Sequence, residues 1–248
     1  MIFFKPKTIV VDCFTDDAGI HEFYPISRVN EALPDWWKKL DSLVDIAEPS
    51  GIVVSRPTIK RCDGLTSLYK YGAVLPMWSD LKIVSSDLSY SFTFAKTSHT
   101  KHDAPIEFHD RWQYGETFNN QLHMKLMSPW FLKESTGCEF MLSSMTWNNH
   151  DHWSRFTILP GVVDYRYQHA THINCFLETN KEILIEAGTP MYQIIPLTDS
   201  KVVFKNHLVD SKELEKIKQR DYRSFFGGYK KLKNIKKNSS GCPFSNHT

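Results

Sequence analysis

The chain has 248 residues, of which 41% are hydrophobic and 23% charged, and its formal net charge is +2. These fractions are close to globular averages and predict a packed core, while the small net charge excludes a strong overall electrostatic field. The five cysteines are odd in number and far apart, which excludes a disulfide framework and predicts reduced thiols in a cytosolic setting.

Residues 1–57 are predicted to form an N-terminal hairpin followed by an arm. Residues 8–14 are rich in β-branched side chains, and a turn at residues 16–19 leads to a second apolar run at residues 20–24. Both runs are expected to be strands of one hairpin.

The arm is predicted from a proline and two tryptophans. Residues 33–40 predict one to two turns of helix, with the proline near the first helical position. Trp36 and Trp37 are expected to dock this helix on the β core as a clamp. Residues 45–57 are expected to be a polar linker.

Residues 58–205 are predicted to form the β core. Residues 58–62 are expected to be a strand, and a later strand begins at Leu122 with alternating apolar residues. Because proline has no N–H to donate, Ser128 and Pro129 are expected to break that strand.

The C-terminal region is predicted to be a helix followed by a basic tail. Residues 206–229 have apolar side chains at helical spacing after a capping pair, Asp210 and Glu213. Residues 230–248 are rich in lysine and serine and are expected to be mobile. From Lys201 onward, twelve Lys and Arg face four Asp and Glu, a local net charge of +8. Such a tail fits a nucleic acid or another acidic partner, and a solvated surface arm is the alternative.

Neither a membrane span nor a secretory signal is expected. No apolar run approaches the roughly 18 residues that a membrane-spanning helix needs. The start of the chain is too short for the apolar region of a signal peptide. A cytoplasmic location is therefore expected.

The most informative stretch covers residues 156–197, which predict a series of short strands joined by turns. A Pro-Gly pair at residues 160–161 and a glycine at position 188 provide two of these turns. Between them, Ile173, Cys175 and Leu177 alternate with Asn174, Phe176 and Glu178, a period of two as in a strand with one buried face. Nothing in this stretch is expected to be helical.

Two motifs in this stretch resemble those of the trimeric dUTPases and dCTP deaminases, which have a β-clip fold. Residues 161–167, GVVDYRY, resemble the G-V-I-D-x-x-Y hairpin of that superfamily. Residues 188–193, GTPMYQ, keep the glycine and glutamine spacing of its later G-D-R-x-x-Q motif. Ser79-Asp80-Leu81 is similar to part of its first motif, A-G-x-D-L.

This resemblance implies a nucleotide or sugar cleft at the 161–167 hairpin. Asp164 would orient the attacking water and meet a sugar hydroxyl, Tyr167 would pack on the sugar, and Gln193 would brace the neighbouring turn, with Asp80 as a further binding residue. It also implies a homotrimer with sites between chains, and Mg²⁺ for a nucleotide hydrolase. The arginine and glycine of the family's phosphate-binding motif are missing from the matching place, Ser128-Pro129-Trp130. A triphosphate needs such groups, so the fold is better supported than dUTP hydrolysis.

The whole chain is similar to an uncharacterised family of bacterial and tailed-phage proteins. The shared segments are residues 33–38, 58–62, 128–130 and 159–164. This resemblance implies a phage-type origin, with a location in the host cytoplasm or the virion. It favours a second hypothesis, a non-enzymatic virion or assembly component that uses the β core for docking.

Histidines near the central stretch leave a third hypothesis open. His150 and His152 form an H-x-H pair, as in the metal sites of cupins, and His169 and His172 follow. Imidazole suits iron, manganese or zinc, but the glutamate that a cupin has after its H-x-H pair is missing. The sequence thus predicts a mainly β fold, either β-clip-like or a related barrel or jelly roll, with a short N-terminal helix and a C-terminal helix. Whether it is an enzyme stays open.

Overall fold

The chain is mainly β, with helices near both ends of the described region. The computed structural model describes residues 8–86, 89–95, 106–110, 113–115, 121–145, 147–148 and 156–222, and side chains up to residue 218. The described strands are β1 (Ile9–Thr15), β2 (Ser27–Arg28), β3 (Leu43–Ala47), β4 (Val53–Pro57), β5 (Ala73–Pro76), β6 (Leu81–Ser85), β7 (Tyr90–Phe94), β8 (Ile106–His109), β9 (Gln121–Lys133), β10 (Glu139–Ser144), β11 (Phe156–Ile158), β12 (Gly161–Asp164), β13 (Ala170–Glu178), β14 (Glu182–Ile185), β15 (Pro190–Pro196) and β16 (Val202–Leu208).

The helices are short except for the last. The described α-helices are α1 (Ala18–Phe23), α2 (Asp35–Lys39), α3 (Asp63–Leu68) and α4 (Ser211–Tyr222), and 3-10 turns cover Val29–Ala32 and Ile59–Arg61. The predicted mainly β fold with a short N-terminal helix and a C-terminal helix is confirmed. In this part of the chain the sheets do not close into a barrel. None of the described helices is long and apolar enough to cross a membrane.

Two larger sheets share one hydrophobic core. One has the order β11-β13-β9-β1-β16, with β8 also beside β9, and the other has the order β12-β10-β15-β5-β2. Within β1, β9 and β13 alternate side chains are buried, such as Val11, Met124 and Ile173. Phe140 of β10 and Ile194 of β15 belong to the same cluster, so the two sheets pack against each other.

Two smaller sheets complete the fold. β14, β6 and β7 form a three-stranded sheet that contributes Leu81 and Ile83 to the main core. β3 and β4 form a separate two-stranded ribbon, which pairs with no other described strand. Its strands are almost wholly exposed, so residues 45–57 are largely a β-hairpin, where the sequence predicted a polar linker.

The predicted N-terminal hairpin is wrong. Residues 20–24 do not pair with β1, because residues 18–23 form α1. Asp17 caps this helix by accepting a hydrogen bond from the N–H of Ile20 at 3.0 Å, and Ile20 is buried in the core. β1 instead lies inside the larger sheet, parallel to β16 and antiparallel to β9.

Two further local expectations are also wrong. Residues 59–61 form a 3-10 turn in place of a strand, because the Thr58 side chain accepts a hydrogen bond from the N–H of Lys60. β9 continues through Pro129, because the register against β13 shifts there: Met127 faces His172, but Phe131 faces Ala170. A bulge is a place where a strand tolerates proline.

The expected tryptophan clamp is half right. Trp37 of α2 is buried in a small second cluster and lies edge-on to Tyr69, with ring centroids 4.7 Å apart. Trp36 stays partly exposed, and its indole N–H donates to the Trp147 carbonyl at 3.0 Å. At the other end of the chain, Asp210 caps α4 as expected, since its carboxylate accepts the N–H of Glu213 at 2.8 Å.

Candidate functional site

The turn between β12 and β13 is built by its own aspartate. The Asp164 backbone carbonyl accepts the N–H groups of Tyr167 at 3.0 Å and Gln168 at 3.1 Å. Its Oδ1 accepts the backbone N–H of Arg166 at 3.1 Å. Aspartate favours such turns because its short side chain reaches the backbone two residues on.

The same carboxylate forms a two-pronged ion pair with Arg166. Arg166 donates from Nε to Oδ1 at 3.1 Å and from Nη2 to Oδ2 at 2.8 Å. The Asp164 side chain is fully buried, whereas that of Arg166 is 31% exposed. The hydrogen bonds that Asp164 accepts raise the pKa of the Arg166 guanidinium, which therefore stays charged. Asp164 thus orients the partly exposed guanidinium of Arg166.

A second buried carboxylate lies in the neighbouring loop. Glu134 is 2% exposed and accepts the backbone N–H groups of Thr136, of Gly137 at 2.8 Å and of Cys138 at 3.1 Å. Convergent backbone N–H groups form an anion-binding concavity. Glu134 occupies this one, so its N–H groups are not offered to a ligand.

Gly137 lets the guanidinium lie against this loop. It has a φ of +98°, and a Cβ placed on it would come within 2.5 Å of Arg166 Nη1. On another side, the Arg166 Cζ atom lies 5.0 Å from the centroid of the Tyr167 ring, a cation–π distance. The predicted sugar-binding Tyr167 is therefore buried against an arginine.

An open depression of about 490 Å³ lies beside this arginine. Its wall combines the charged side chains of Arg166 and Glu139, the hydroxyl groups of Thr136 and Thr198, and the apolar Ile9 and Leu197. The Cys138 thiol also lines it, but burial raises the pKa of this thiol above its ordinary value. A thiol that resists ionisation is a poor nucleophile.

The predicted catalytic geometry is therefore corrected for Asp164. The sequence predicts that Asp164 faces an open cleft, yet it is fully buried and both carboxylate oxygens are hydrogen-bonded. Arg166, which the sequence motifs did not single out, is the residue of this hairpin that reaches the depression. The spacing of Asp164 and Arg166 on either side of one turn residue was the available signal.

The other predicted binding residues hold backbone elsewhere in the fold. Gln193 is buried, and its amide donates to the carbonyls of Leu68 at 2.7 Å and Tyr71 at 3.0 Å. Asp80 accepts the N–H of Ala187 at 2.7 Å and so secures the turn before β15. Both therefore brace turns.

Asp164 and Gly188 of the two motifs lie near opposite ends of β15. Asp164 pairs with Glu139, whose carbonyl accepts the N–H of Leu197 just after β15. Gly188 precedes β15 at its other end, where its N–H donates to the Met77 carbonyl at 2.7 Å. With a rise of about 3.3 Å per residue, the seven residues of β15 separate Asp164 from the Gly188 turn by about 20 Å.

The histidines do not converge on a metal site in the described part of the chain. His169 is buried, and its Nδ1 donates to the Leu132 carbonyl at 3.0 Å. His172 lies on β13 opposite Met127, and burial lowers its pKa to about 4. Among the described residues, no group of three metal-binding side chains is close enough to hold an ion. His150 and His152 lie outside the described residues.

A polar patch on the outer face of the larger sheet was not predicted as a unit. His109 stacks on His123 with ring centroids 4.5 Å apart, and Lys125 donates to Glu107 at 2.8 Å. Burial lowers the pKa of His123 below its ordinary value. These side chains meet because β8 pairs with β9 in the register His109 to His123.

No protein-family model matches the chain, and a search of curated proteins finds no significant match.

Proposed function

We propose that the protein is a non-enzymatic assembly component, of the kind found in phage virions, that docks on other protein chains through the β3–β4 ribbon. In this proposal the 161–167 hairpin is a structural part of the β core. The observation that carries it is the concentration of exposed apolar side chains on the ribbon.

The ribbon exposes several large apolar side chains. Its exposed large hydrophobic residues are Leu43, Val44, Ile46, Ile52 and Val53, and the last two are 61% and 63% exposed. A two-stranded ribbon is marginally stable in water when it packs against nothing. Contiguous exposed apolar patches on soluble proteins mark interaction sites. A partner that covers the ribbon would remove these side chains from water and stabilise the hairpin.

The chemistry of the hairpin supports a non-catalytic role. A general base must reach its substrate, whereas the Asp164 carboxylate is fully buried and both of its oxygens accept hydrogen bonds from Arg166. The nearest thiol, Cys138, has a pKa raised by burial. Neither group is prepared to attack a substrate or to activate water.

The proposal is tested by two measurements on the same purified protein. Turnover of dUTP and dCTP with Mg²⁺ is expected to be zero, for the native chain and for Asp164→Asn. Sedimentation velocity is expected to show association that weakens when Ile46 and Val53 are both replaced by threonine. The matched control replaces Val162 by threonine, since Val162 is also about 60% exposed but lies on β12 of the core. Nucleotide turnover that disappears in Asp164→Asn would refute the proposal.

A small-molecule function is the second candidate, favoured by Arg166 at the open depression. Two carboxylates, Asp164 and Glu134, act on this single guanidinium, so the formal charge of these three groups together is negative. That balance repels a triphosphate and favours a neutral sugar or nucleoside. A rise in melting temperature with deoxyuridine or deoxycytidine, absent in Arg166→Gln but kept in Arg56→Gln on the ribbon, is the expected outcome for this candidate.

A further inference from the structure

The hydrogen-bond ladder of the ribbon fixes which backbone groups of β4 point outward. The N–H of Thr58 donates to the Ser42 carbonyl at 3.0 Å, and the N–H of Glu48 donates to the Ile52 carbonyl at 2.9 Å. In an antiparallel pair the residues alternate between bonding to the partner and facing away from it. Val54 and Arg56 therefore bond to β3, while Val53, Ser55 and Pro57 face the open edge.

This open edge is short and self-complementary. Val53 and Ser55 each present one outward N–H and one outward carbonyl, and Pro57 presents only a carbonyl. In the described chain β4 pairs with β3 alone, so these outward groups have no strand partner. An antiparallel copy of the same segment would satisfy the outward N–H and carbonyl groups of Val53 and Ser55 without using Pro57.

We infer that a second copy of this chain pairs with β4 along this edge, about a two-fold axis at Val54. The N–H of Val53 then donates to the carbonyl of Ser55 in the second copy, and the N–H of Ser55 donates to the carbonyl of Val53 there. By symmetry four hydrogen bonds form. The two ribbons become one four-stranded sheet, and a sheet of three or more strands with an apolar face is stable where a lone ribbon is not. This inference names the partner of the ribbon and rests on the proposed docking function.

The side chains favour this register over the one in which the axis lies at Ser55. Ile46 is directly opposite Val54 in the ribbon. An axis at Val54 therefore produces a continuous apolar row across four strands, Ile46 and Val54 of one copy followed by Val54 and Ile46 of the other. An axis at Ser55 would place Val54 opposite Arg56, and cross-strand pairs of this kind decide the stability of a sheet.

Charge favours pairing through the edge of β4 over pairing through the edge of β3. β3 carries one carboxylate, Asp45, and a two-fold axis at this residue would place its two copies directly opposite each other. β4 carries one charged side chain, Arg56, and this is already paired with Glu48 at 3.0 Å. Pairing through β4 keeps that ion pair and opposes no like charges across the axis.

The expected contact is two-fold and weak, in place of the threefold arrangement that the resemblance to the dUTPases implies. An edge of five residues buries less than the roughly 1,200 Å² of a stable interface. A monomer–dimer equilibrium in the micromolar range is therefore expected.

The test uses charges at the position that meets itself across the axis. Val54→Glu and Val54→Lys are each expected to raise the dissociation constant about tenfold or more, because like charges then lie directly opposite. An equimolar mixture of the two variants is expected to return to within about threefold of the native value, as opposite charges pair. Sedimentation velocity between about 1 and 200 μM measures all three samples.

The matched control is the pair Ile46→Glu and Ile46→Lys. Ile46 lies in the same row but one strand further out, so the two copies of Ile46 would be about three strand spacings, or roughly 14 Å, apart. These variants are expected to show no rescue on mixing. Because the ribbon is off the main core, the melting temperature of all four variants is expected to match that of the native chain.

Three outcomes overturn the inference. If the native chain stays monomeric over the whole concentration range, a second copy does not pair with β4. Rescue at Ile46 and not at Val54 assigns the contact to β3. Association that neither pair of variants changes places the contact outside the ribbon. Nucleotide turnover, which would refute the proposed assembly function, is measured separately and is independent of these results.

Discussion

Arg166 donates two side-chain hydrogen bonds to the fully buried carboxylate of Asp164, at 3.1 and 2.8 Å. The turn that carries the resemblance to a nucleotide hydrolase is therefore held together by an internal ion pair. The arginine, and not the aspartate, reaches the neighbouring depression. The ion pair therefore gives the hairpin a role in the stability of the fold, which unfolding experiments can test.

Asp164→Asn is expected to destabilise the fold by about 2–4 kcal/mol. The substitution removes the charged acceptor of both guanidinium hydrogen bonds, and breaking such a pair from one side is costly. Urea unfolding measures the loss. Asp45→Asn on the exposed ribbon is the control and is expected to cost less than about 0.5 kcal/mol. Equal stability of Asp164→Asn and the native chain would show that the ion pair does not support the turn.

Gly137→Ala is expected to cost about 2 kcal/mol or more. A side chain at this position meets both a left-handed backbone, with φ at +98°, and the Arg166 guanidinium within 2.5 Å. Gly51→Ala separates the two effects, since Gly51 has a φ of +81° but a Cβ added there would meet no described atom within 4 Å. It is expected to cost only about 1 kcal/mol. If both variants lost the same stability, close packing against Arg166 would play no part.

His172 is expected to make the fold less stable in mild acid. Its pKa is lowered from 6.5 to about 4, mainly by burial and also by the Lys125 charge, while Glu107 acts in the opposite direction. Its Nδ1 is buried and has no hydrogen-bond partner among the described residues. The unfolded chain takes up a proton near pH 6.5, whereas the native chain resists it until near pH 4. The stability held by the neutral ring is thus complete above pH 6.5 and is lost as the pH falls towards 4.

The measurement compares unfolding free energies at several pH values. Between pH 6.5 and 4, the native chain is expected to lose at most about 3 kcal/mol of unfolding free energy through His172. His172→Gln is expected to abolish this part of the loss. At pH 8 the ring is neutral in both the folded and the unfolded chain, so the variant isolates packing there. Parallel pH curves for the native chain and the variant would mean that His172 is hydrated in the native state.

The strands near the centre of the chain could be predicted because their pattern is local. Ile173, Cys175 and Leu177 recur at every second position, and all three are buried in β13. The period of two directly reports which face meets the core. Gly188 likewise marks a turn with a positive φ, and a turn of this kind is a local requirement.

What the sequence could not show was decided by distant contacts. Residues 20–24 have the composition of a strand, but β1 finds its parallel partner in β16, almost 200 residues later. Pro129 is tolerated because the pairing of β9 with β13 shifts its register around it. Asp164 was predicted as catalytic because a motif names the residue type but not its partner, and Arg166 cancels its charge two residues later.

Glu134→Gln is expected to destabilise the fold by about 2 kcal/mol. The buried carboxylate accepts three backbone N–H groups from Thr136, Gly137 and Cys138, and hydrogen bonds to an ionised acceptor are about twice as strong as neutral ones. Glutamine can accept hydrogen bonds through only one oxygen. Its NH₂ group would face backbone N–H groups, and two donors cannot bond to each other. The amides of Gly137 and Cys138 are expected to exchange with solvent faster in the variant, and hydrogen exchange measures this directly.

The control for this last substitution is Glu182→Gln. Glu182 pairs with Lys82 at 2.9 Å on the surface of the three-stranded sheet, where both side chains are about half exposed. Solvent screens this pair, so the control is expected to cost less than about 1 kcal/mol. Glu134 lies in the loop that packs against Arg166. Gly137→Ala is therefore expected to cost less stability in the Glu134→Gln variant than in the native chain. If the effects of Glu134→Gln and Gly137→Ala on stability were additive, the hydrogen bonds of Glu134 and the contact between Gly137 and Arg166 would be independent.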